Sequence, residues 1–341
     1  MTLITYPTRV HFADDVMQEA LHSELERAGC KAPLLIYGDD LLESDFAYRV
    51  QEGLPHKTAV QSMVFDAASD LRHLSRTAID TGTPPDVLIA FGSARAIELA
   101  RKCRYGLSQA TGHRTPMYAI PGVDGLPGPC TRNLESWRAG LPSVLICDPT
   151  LTLNADCGQS WRSSVLSLVR CVESYLAQSF NPPADGMALD GLGRSLGTLP
   201  RIGDAGQCAR DLDLRRDMMA ASLNASLSQE KGVGPALTLA DALANEQAGL
   251  QVPDMARLLL PEIIRRSSVN SERAEMLLKV LGRDAQRLDE AMTEVLARAP
   301  MAARLSDMGV AQSTLDQAAS QAQGKAGLTF DTARDVLSSV Y

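Results

Sequence analysis

Apolar residues in the first half of the chain fall into short runs that alternate with segments of helical periodicity. Each run is too short for a helix and ends in Gly, Pro or Asp, which is typical of a buried strand. Strands that alternate with helices over short connections predict a parallel sheet with right-handed crossovers. The predicted strands are 9–12, 31–37, 59–65, 86–91, 116–120 and 143–147. Helices are predicted over 14–28, 66–81 and 96–104, and another predicted helix follows the second strand and ends at Arg49.

The pattern changes after Asp148-Pro149. Val165, Leu166, Val169 and Val172 recur at helical spacing and predict a helix with one buried face. Beyond it the apolar spacing predicts helices alone. These helices are predicted over 182–199, 209–229, 235–245, 255–266, 271–281, 284–299, 305–309 and 311–323 and from Thr329 onward. The sequence therefore predicts a Rossmann-like α/β domain over residues 1–150 and an all-helical domain over residues 151–341.

Composition narrows the classes of protein that fit. The chain has 341 residues, 45% of them hydrophobic, and a formal net charge of −8 with no basic tract, which argues against a nucleic-acid partner. No apolar run approaches the roughly 18–20 residues of a membrane span, and the N-terminus is not typical of a signal peptide. The seven cysteines are scattered without a CxxC pair and are expected to be reduced thiols. We expect a cytoplasmic protein.

Several motifs together resemble the iron-containing (group III) alcohol dehydrogenases and the related maleylacetate reductases. The motifs are Arg9-Val-His-Phe12, Asp86-Val-Leu-Ile-Ala-Phe-Gly92, Tyr118-Ala-Ile-Pro121, Ile146-Cys-Asp-Pro-Thr-Leu-Thr152, Glu173-Ser-Tyr175, Arg216-Asp-Met-Met-Ala-Ala-Ser222 and Leu305-Ser-Asp-Met-Gly309. The resemblance implies the fold of that family, which is dehydroquinate synthase-like. It also implies a dinucleotide-binding domain, an active-site cleft against a helical domain, and a homodimer paired through the nucleotide domain.

The positions that bind metal in the resembled family hold other residues here. Leu166 and Arg170 stand where that family places an aspartate and a histidine, and Leu237 and Asp254 stand at two further ligand histidines. Asp241 matches an additional active-site histidine. Leucine has no lone pair to offer and a guanidinium repels a cation. We therefore expect no metal.

The loops that hold the dinucleotide in that family also differ. Gly92, Ser93 and Arg95 stand in the turn where the family has three glycines, and the second loop, 122–129, contains two prolines that lack N–H donors. Arg95 at the helix start attracts phosphate. Asp39, after the second strand, has two interpretations: it accepts a hydrogen bond from a ribose hydroxyl, or it is only a turn residue. We expect no cofactor, with NAD(P) binding as the alternative.

Two functional hypotheses remain open. The first is a catalytically silent homologue that acts as a structural or regulatory partner of an active paralogue or another enzyme, with Arg170 paired to Asp241 or Asp254 across the former metal site. Leu166 and Leu237 are then core residues. The alternative is a metal-independent NAD(P)-dependent oxidoreductase in which Arg170, Asp241 and Asp254 form the catalytic cluster and the guanidinium stabilises an alkoxide. The sequence favours the first hypothesis and names no substrate.

Overall fold

Six parallel strands form one sheet with the spatial order β1-β6-β5-β4-β2-β3. The computed structural model describes residues 6, 8–66, 68–70, 73–76, 84–123, 125, 140–203, 208–283 and 286–341. The strands are β1 (Arg9–Phe12), β2 (Pro33–Gly38), β3 (Gln61–Phe65), β4 (Val87–Gly92), β5 (Met117–Pro121) and β6 (Val144–Cys147). All pairings are parallel, so the carboxyl ends of the strands meet along one edge. The predicted parallel sheet is confirmed.

Helices pack on the sheet and make up the chain after it. Near the sheet they are α1 (Met17–Ala28), α2 (Asp45–Glu52) and α3 (Ala94–Thr111). The later helices are α4 (Cys157–Leu176), α5 (Pro182–Ile202), α6 (Leu212–Ser228), α7 (Pro235–Glu246), α8 (Val252–Arg266), α9 (Ser271–Leu281), α10 (Leu288–Leu296), α11 (Gln312–Ala322) and α12 (Phe330–Ser339). Half of the predicted helix 66–81 and most of the loop 122–129 lie outside the described residues.

The four inner strands are buried on both faces, which explains their continuous apolar runs. On one face Ile97 and Leu99 of α3 pack against the sheet, and on the other Leu21 of α1 and Val50 of α2 do so. The later helices enclose a separate apolar cluster around α4, in which Val165, Val169 and Val172 are 0% exposed. The α/β sheet followed by a helical half is therefore confirmed as the fold, and the boundary at residue 150 stays a prediction.

Asp148 fixes the point where the chain leaves the sheet. Its buried carboxylate accepts the backbone N–H groups of Asp15 at 3.0 Å and Met17 at 3.2 Å, and Arg49 donates to it at 3.1 Å. Helix α6 joins the two halves, because its Met219 packs into the core of the sheet. None of the described helices combines the length and apolar character needed to cross a bilayer.

Candidate active site

A glycine turn lies at the carboxyl edge of the sheet, between β4 and α3. Gly92 has φ of +89°, a conformation that favours glycine, and a Cβ at this position would also lie 2.3 Å from Leu41 Cδ1. Ser93 caps α3 by accepting the Ala96 N–H at 3.4 Å. The N–H of Gly122, after β5, donates to the Gly92 carbonyl at 2.7 Å. The turn therefore leads directly into the N-terminus of a long helix, where backbone N–H groups favour an anion.

The other two predicted cofactor residues flank this turn. Asp39 is exposed and begins the short 3₁₀ turn Asp39–Leu41 after β2. Arg95 is exposed and donates to the Ser69 carbonyl at 3.1 Å, with its guanidinium 5.8 Å from the centre of the Phe65 ring. A glycine turn at a helix N-terminus with an acidic side chain after the neighbouring strand is the arrangement that holds a dinucleotide in open α/β sheets. The residues present fit such a cofactor.

Helix α4 carries two arginines that interact with acidic residues of later helices. Arg162 binds the Asp254 carboxylate through Nε at 2.9 Å and Nη2 at 3.1 Å. Asp254 lies in the first turn of α8, which favours a negative charge. In the structure Asp254 therefore pairs with Arg162. It does not pair with Arg170, the partner that was considered from the sequence. The spacing of Arg162, Leu166 and Arg170 by four residues places all three on one helical face, and that spacing was the missed signal.

Arg170 and Asp241 form a second charged group. The Arg170 side chain is 8% exposed. Asp241 is exposed on α7, yet desolvation by surrounding protein raises its pKa to about 6, against the lowering effect of the Arg170 charge. Glu98 in α3 raises the same pKa and Lys325 lowers it. The cluster therefore lies within electrostatic reach of the helix that begins at the glycine turn.

A buried carboxylate that the sequence did not single out for a role supports this cluster. Glu173 accepts the N–H of Ala236 at 2.6 Å and the N–H of Leu237 at 3.4 Å, at the start of α7. Burial raises the pKa of Glu173 to about 8, against the lowering effect of these N–H groups. Leu237 is 4% exposed and Leu166 is partly buried, both against the helical core, which confirms their prediction as core residues. Glu173 therefore anchors the N-terminus of α7, the helix that carries Asp241.

A narrow cavity separates the carboxyl edge of the sheet from α6. Its wall includes Gly122, Thr152, Arg215 and Ser222. Arg170, Asp241 and Asp254 are not among the residues that line it. The structure therefore brings together Arg170 and Asp241, places Asp254 beside Arg162, and leaves the sheet-edge residues as a separate group.

Several known proteins resemble this chain. No family model matches it. The 4-hydroxybutyrate dehydrogenase of Cupriavidus necator is 27% identical over an alignment covering 93% of this chain and 92% of the relative. An iron-containing alcohol dehydrogenase from Thermococcus thioreducens has a TM-score of 0.80 at 15% identity, covering 99% of each chain. The maleylacetate reductase from Agrobacterium tumefaciens has a TM-score of 0.78 at 19% identity, covering 100% of this chain and 97% of its own. The resemblance and the fold inferred from the motifs are confirmed.

The expectation of no metal and no cofactor is wrong in the light of these comparisons. The relatives are dehydrogenases and reductases, and two of the structural neighbours are iron-containing alcohol dehydrogenases. The error was to treat substitutions at Leu166, Arg170 and Leu237 as proof that nothing is bound, although water and substrate can also supply ligands to a metal. Within the described ranges, no three His, Cys, Asp or Glu side chains cluster together. No catalytic step is therefore derived through a metal.

Proposed function

We propose that this chain, which has the fold of the iron-containing alcohol dehydrogenases, is an NAD(P)-linked oxidoreductase that interconverts the alcohol and carbonyl forms of a short hydroxy acid. One observation carries the proposal: the charge of a buried guanidinium, Arg170, acts on Asp241, whose pKa is raised by desolvation to about 6. An electrostatic stabiliser and a group that exchanges a proton near neutral pH are what carbonyl reduction requires of a protein.

The sheet edge supplies the cofactor site in this proposal. NAD(P), when bound, supplies or accepts the hydride. Gly92 and Ser93, at the N-terminus of α3, hold the diphosphate, and the Asp39 carboxylate accepts from a ribose hydroxyl. Glu98 lies further along α3 and acts on the pKa of Asp241, so the helix that begins at the diphosphate turn also borders the charged cluster.

Arg170 and Asp241 divide the remaining chemistry between them. As a carbonyl is reduced, negative charge develops on its oxygen, and the buried Arg170 guanidinium stabilises that charge. The protonated Asp241 carboxyl then donates its proton to the oxygen. In the direction of alcohol oxidation the Asp241 carboxylate accepts the hydroxyl proton. Each direction thus needs a different protonation state of one carboxyl.

The substrate class is inferred from the relative and from charge. The Cupriavidus necator relative is a 4-hydroxybutyrate dehydrogenase, and its substrate carries a carboxylate. Lys325 is exposed and its charge reaches Asp241, so a cation stands at the rim of the cluster. An exposed cation attracts a carboxylate and orients the opposite end of a short acid toward Arg170.

The test is turnover of 4-hydroxybutyrate and of its 4-oxo product. Absorbance of the reduced nicotinamide is followed with each of NAD and NADP, in buffers with and without added Fe²⁺. We expect reversible turnover and a loss of about 10²–10³-fold in kcat/KM for Arg170→Ala. Arg298→Ala, which removes an exposed arginine, is the matched control and should retain activity. Absence of turnover in every combination would overturn the proposal.

A silent structural or regulatory partner is the second candidate. It is favoured by the Asp254 carboxylate, which is held by Arg162, and by the burial of Leu237 in the helical core. In that case the chain shows no turnover, and an oxidoreductase that co-purifies with it changes its own kcat or KM when this chain is added. Unchanged kinetics of every co-purifying enzyme would rule this candidate out.

A further inference from the structure

Two thiols lie together where the helical half begins. Cys157 is the first residue of α4 and is half-buried, and its thiol is hydrogen-bonded with Cys208, which is 0% exposed and precedes α6. We propose that Cys157 and Cys208 form a redox-modification site that closes into a reversible disulfide when the protein meets a peroxide. This inference is independent of the proposed catalytic activity.

The backbone holds the two segments in place beside each other. The N–H of Asn154 donates to the Ala209 carbonyl at 2.8 Å. Arg215 Nη2 donates to the Cys208 carbonyl at 2.9 Å and to the Ala155 carbonyl at 3.3 Å, so one guanidinium bridges both segments. The two sulfurs must approach from hydrogen-bond contact to the S–S bond length of about 2.05 Å, and these contacts keep the segments that carry them side by side.

The same guanidinium provides a charge for the reaction. Arg215 is 0% exposed, its Nη2 lies 3.6 Å from Cys208 Sγ, and its Nη1 donates to Ser160 Oγ at 2.8 Å. Its hydrogen-bond partners in the described part of the chain are carbonyls, a hydroxyl and sulfur atoms, and none is a carboxylate. A buried cation stabilises negative charge on a facing sulfur. Cys208 is therefore placed to act as the attacking sulfur.

Hydrogen peroxide is the oxidant that accepts the two electrons released when the disulfide forms. Hydrogen peroxide oxidises the half-exposed Cys157 thiol to a sulfenic acid, its O–O bond breaks, and one water leaves. The Cys208 sulfur attacks Cys157 Sγ, the S–O bond breaks, and the hydroxide leaves as a second water with the Cys208 proton. The two thiols lose two protons and two electrons, and the peroxide is reduced to two waters. A dithiol such as dithiothreitol reverses the change by thiol–disulfide exchange.

Other described thiols are less suited to this reaction. Cys103 and Cys147 are 0% and 1% exposed, and burial raises the pKa of each to about 12. Cys30 has its pKa raised to about 12 by burial and by hydrogen bonding with Asp86. The pKa of Cys157 is raised as well, first by its hydrogen bond with Cys208, so the pair should react faster as the pH rises above neutral.

The test uses the full chain with Cys130→Ser, because Cys130 lies outside the described residues. After treatment with hydrogen peroxide, intact mass and non-reducing peptide mapping are expected to show the loss of two hydrogens and one cross-linked peptide pair containing Cys157 and Cys208. Dithiothreitol should restore the original mass. In this background Cys157→Ser should abolish the cross-link, and Cys30→Ser, the matched control, should retain it.

Each other outcome decides against the site. A cross-link that survives in Cys157→Ser, oxidation to sulfinic acid without a cross-link, or no mass change at all would overturn the proposal. Because Cys157 is half-exposed and Cys208 is buried, Cys157→Ser should disturb folding less than Cys208→Ser would. The melting temperature of Cys157→Ser is compared with that of the parent to show that the variant folds. Because mass is the readout, the result is the same whether or not the chain turns over a hydroxy acid.

Discussion

Glu173, near the end of α4, accepts the backbone N–H of Ala236 at the start of α7, with 2.6 Å between Oε1 and nitrogen. The carboxyl is 6% exposed, and burial raises its pKa from 4.5 to about 8. The two helices joined by this contact carry Arg170 and Asp241. A buried carboxyl with a raised pKa thus joins the two helices that carry the charged cluster.

We expect the stability of the protein to fall between about pH 5 and pH 8 because of Glu173. The folded state holds this proton more tightly than the unfolded chain does, so the stabilisation is complete below the unfolded pKa of 4.5 and is lost as the pH rises through about 8. Melting temperatures should drop by roughly a few degrees over this range. Calorimetry at intervals of pH measures the slope.

The glutamine variant isolates this contribution. Glu173→Gln keeps one oxygen for the Ala236 N–H but does not titrate, so its melting temperature should change less between pH 5 and pH 8 than that of the parent. Glu275→Gln removes an exposed carboxyl and should leave the slope unchanged. An equal slope in Glu173→Gln and parent would show that Glu173 does not titrate in this range.

A second prediction concerns the glycine beside this carboxylate. A Cβ at Gly234 would lie 2.2 Å from Glu173 Cδ, so Gly234→Ala forces the buried carboxyl away from the N–H groups of α7. We expect a loss of roughly 1–3 kcal/mol in the free energy of unfolding, measured by denaturant titration.

Helix α5 provides the matched control for Gly234. Gly193 is exposed within that helix, and a Cβ there would meet nothing within 4 Å. Gly193→Ala should therefore stabilise the protein by about 0.5–1 kcal/mol, because alanine is the better helix former. Similar effects in the two alanine variants would contradict the close approach of Glu173 to Gly234.

The fold was predictable from the sequence because periodicity and turn residues report directly on burial. The runs around Leu35, Ile89 and Ile146 are continuous since both faces of their strands are covered, and the valines of α4 recur at helical spacing since one face meets the helical core. These are local patterns that need no knowledge of tertiary contacts. The helix bounds differed by a few residues where capping side chains, such as Asp211 before α6, set the start.

The site was predictable only in part, because its partners are set by tertiary contacts. Arg170 and Asp241 were found by resemblance, whereas the pairing of Arg162 with Asp254 joins residues from helices far apart in the sequence. Glu173 lies in a recognised motif, but its contact with the start of α7 is visible only in three dimensions. The inference about metal and cofactor failed because it was drawn from single substituted positions.

The third prediction concerns Glu24, which ties α1 to the edge strand β1. Its carboxylate is 2% exposed and pairs with Arg9, Arg27 and His11. Burial alone would raise the pKa of Glu24, but hydrogen bonds from these three residues lower it from 4.5 to about 2. The stabilisation is therefore present above pH 4.5 and is lost as the pH falls through about 2.

Replacement of Glu24 should show this dependence. Glu24→Gln is expected to lower the free energy of unfolding by roughly 1–3 kcal/mol at pH 7, because buried hydrogen bonds to a charge are lost. The difference from the parent should shrink as the pH is lowered toward 2. Glu52→Gln, on an exposed site, should show neither effect. A difference that is constant with pH would mean that steric change, and not charge, is responsible.

The last prediction separates the two directions of the proposed reaction by their pH dependence. If Asp241 exchanges the proton, carbonyl reduction needs its protonated form and alcohol oxidation needs its carboxylate. Because the pKa of Asp241 is about 6, kcat/KM for reduction should fall as the pH rises through about 6, and kcat/KM for oxidation should rise over the same range.

Arg170→Ala removes a charge that lowers this pKa, so the midpoint of any residual activity should move to higher pH. Asp241→Asn should abolish the pH-dependent limb in both directions, whereas Asp335→Asn, at an exposed position, should leave both profiles unchanged. Parallel profiles for oxidation and reduction, or an unshifted midpoint in Arg170→Ala, would assign the proton transfer to another group.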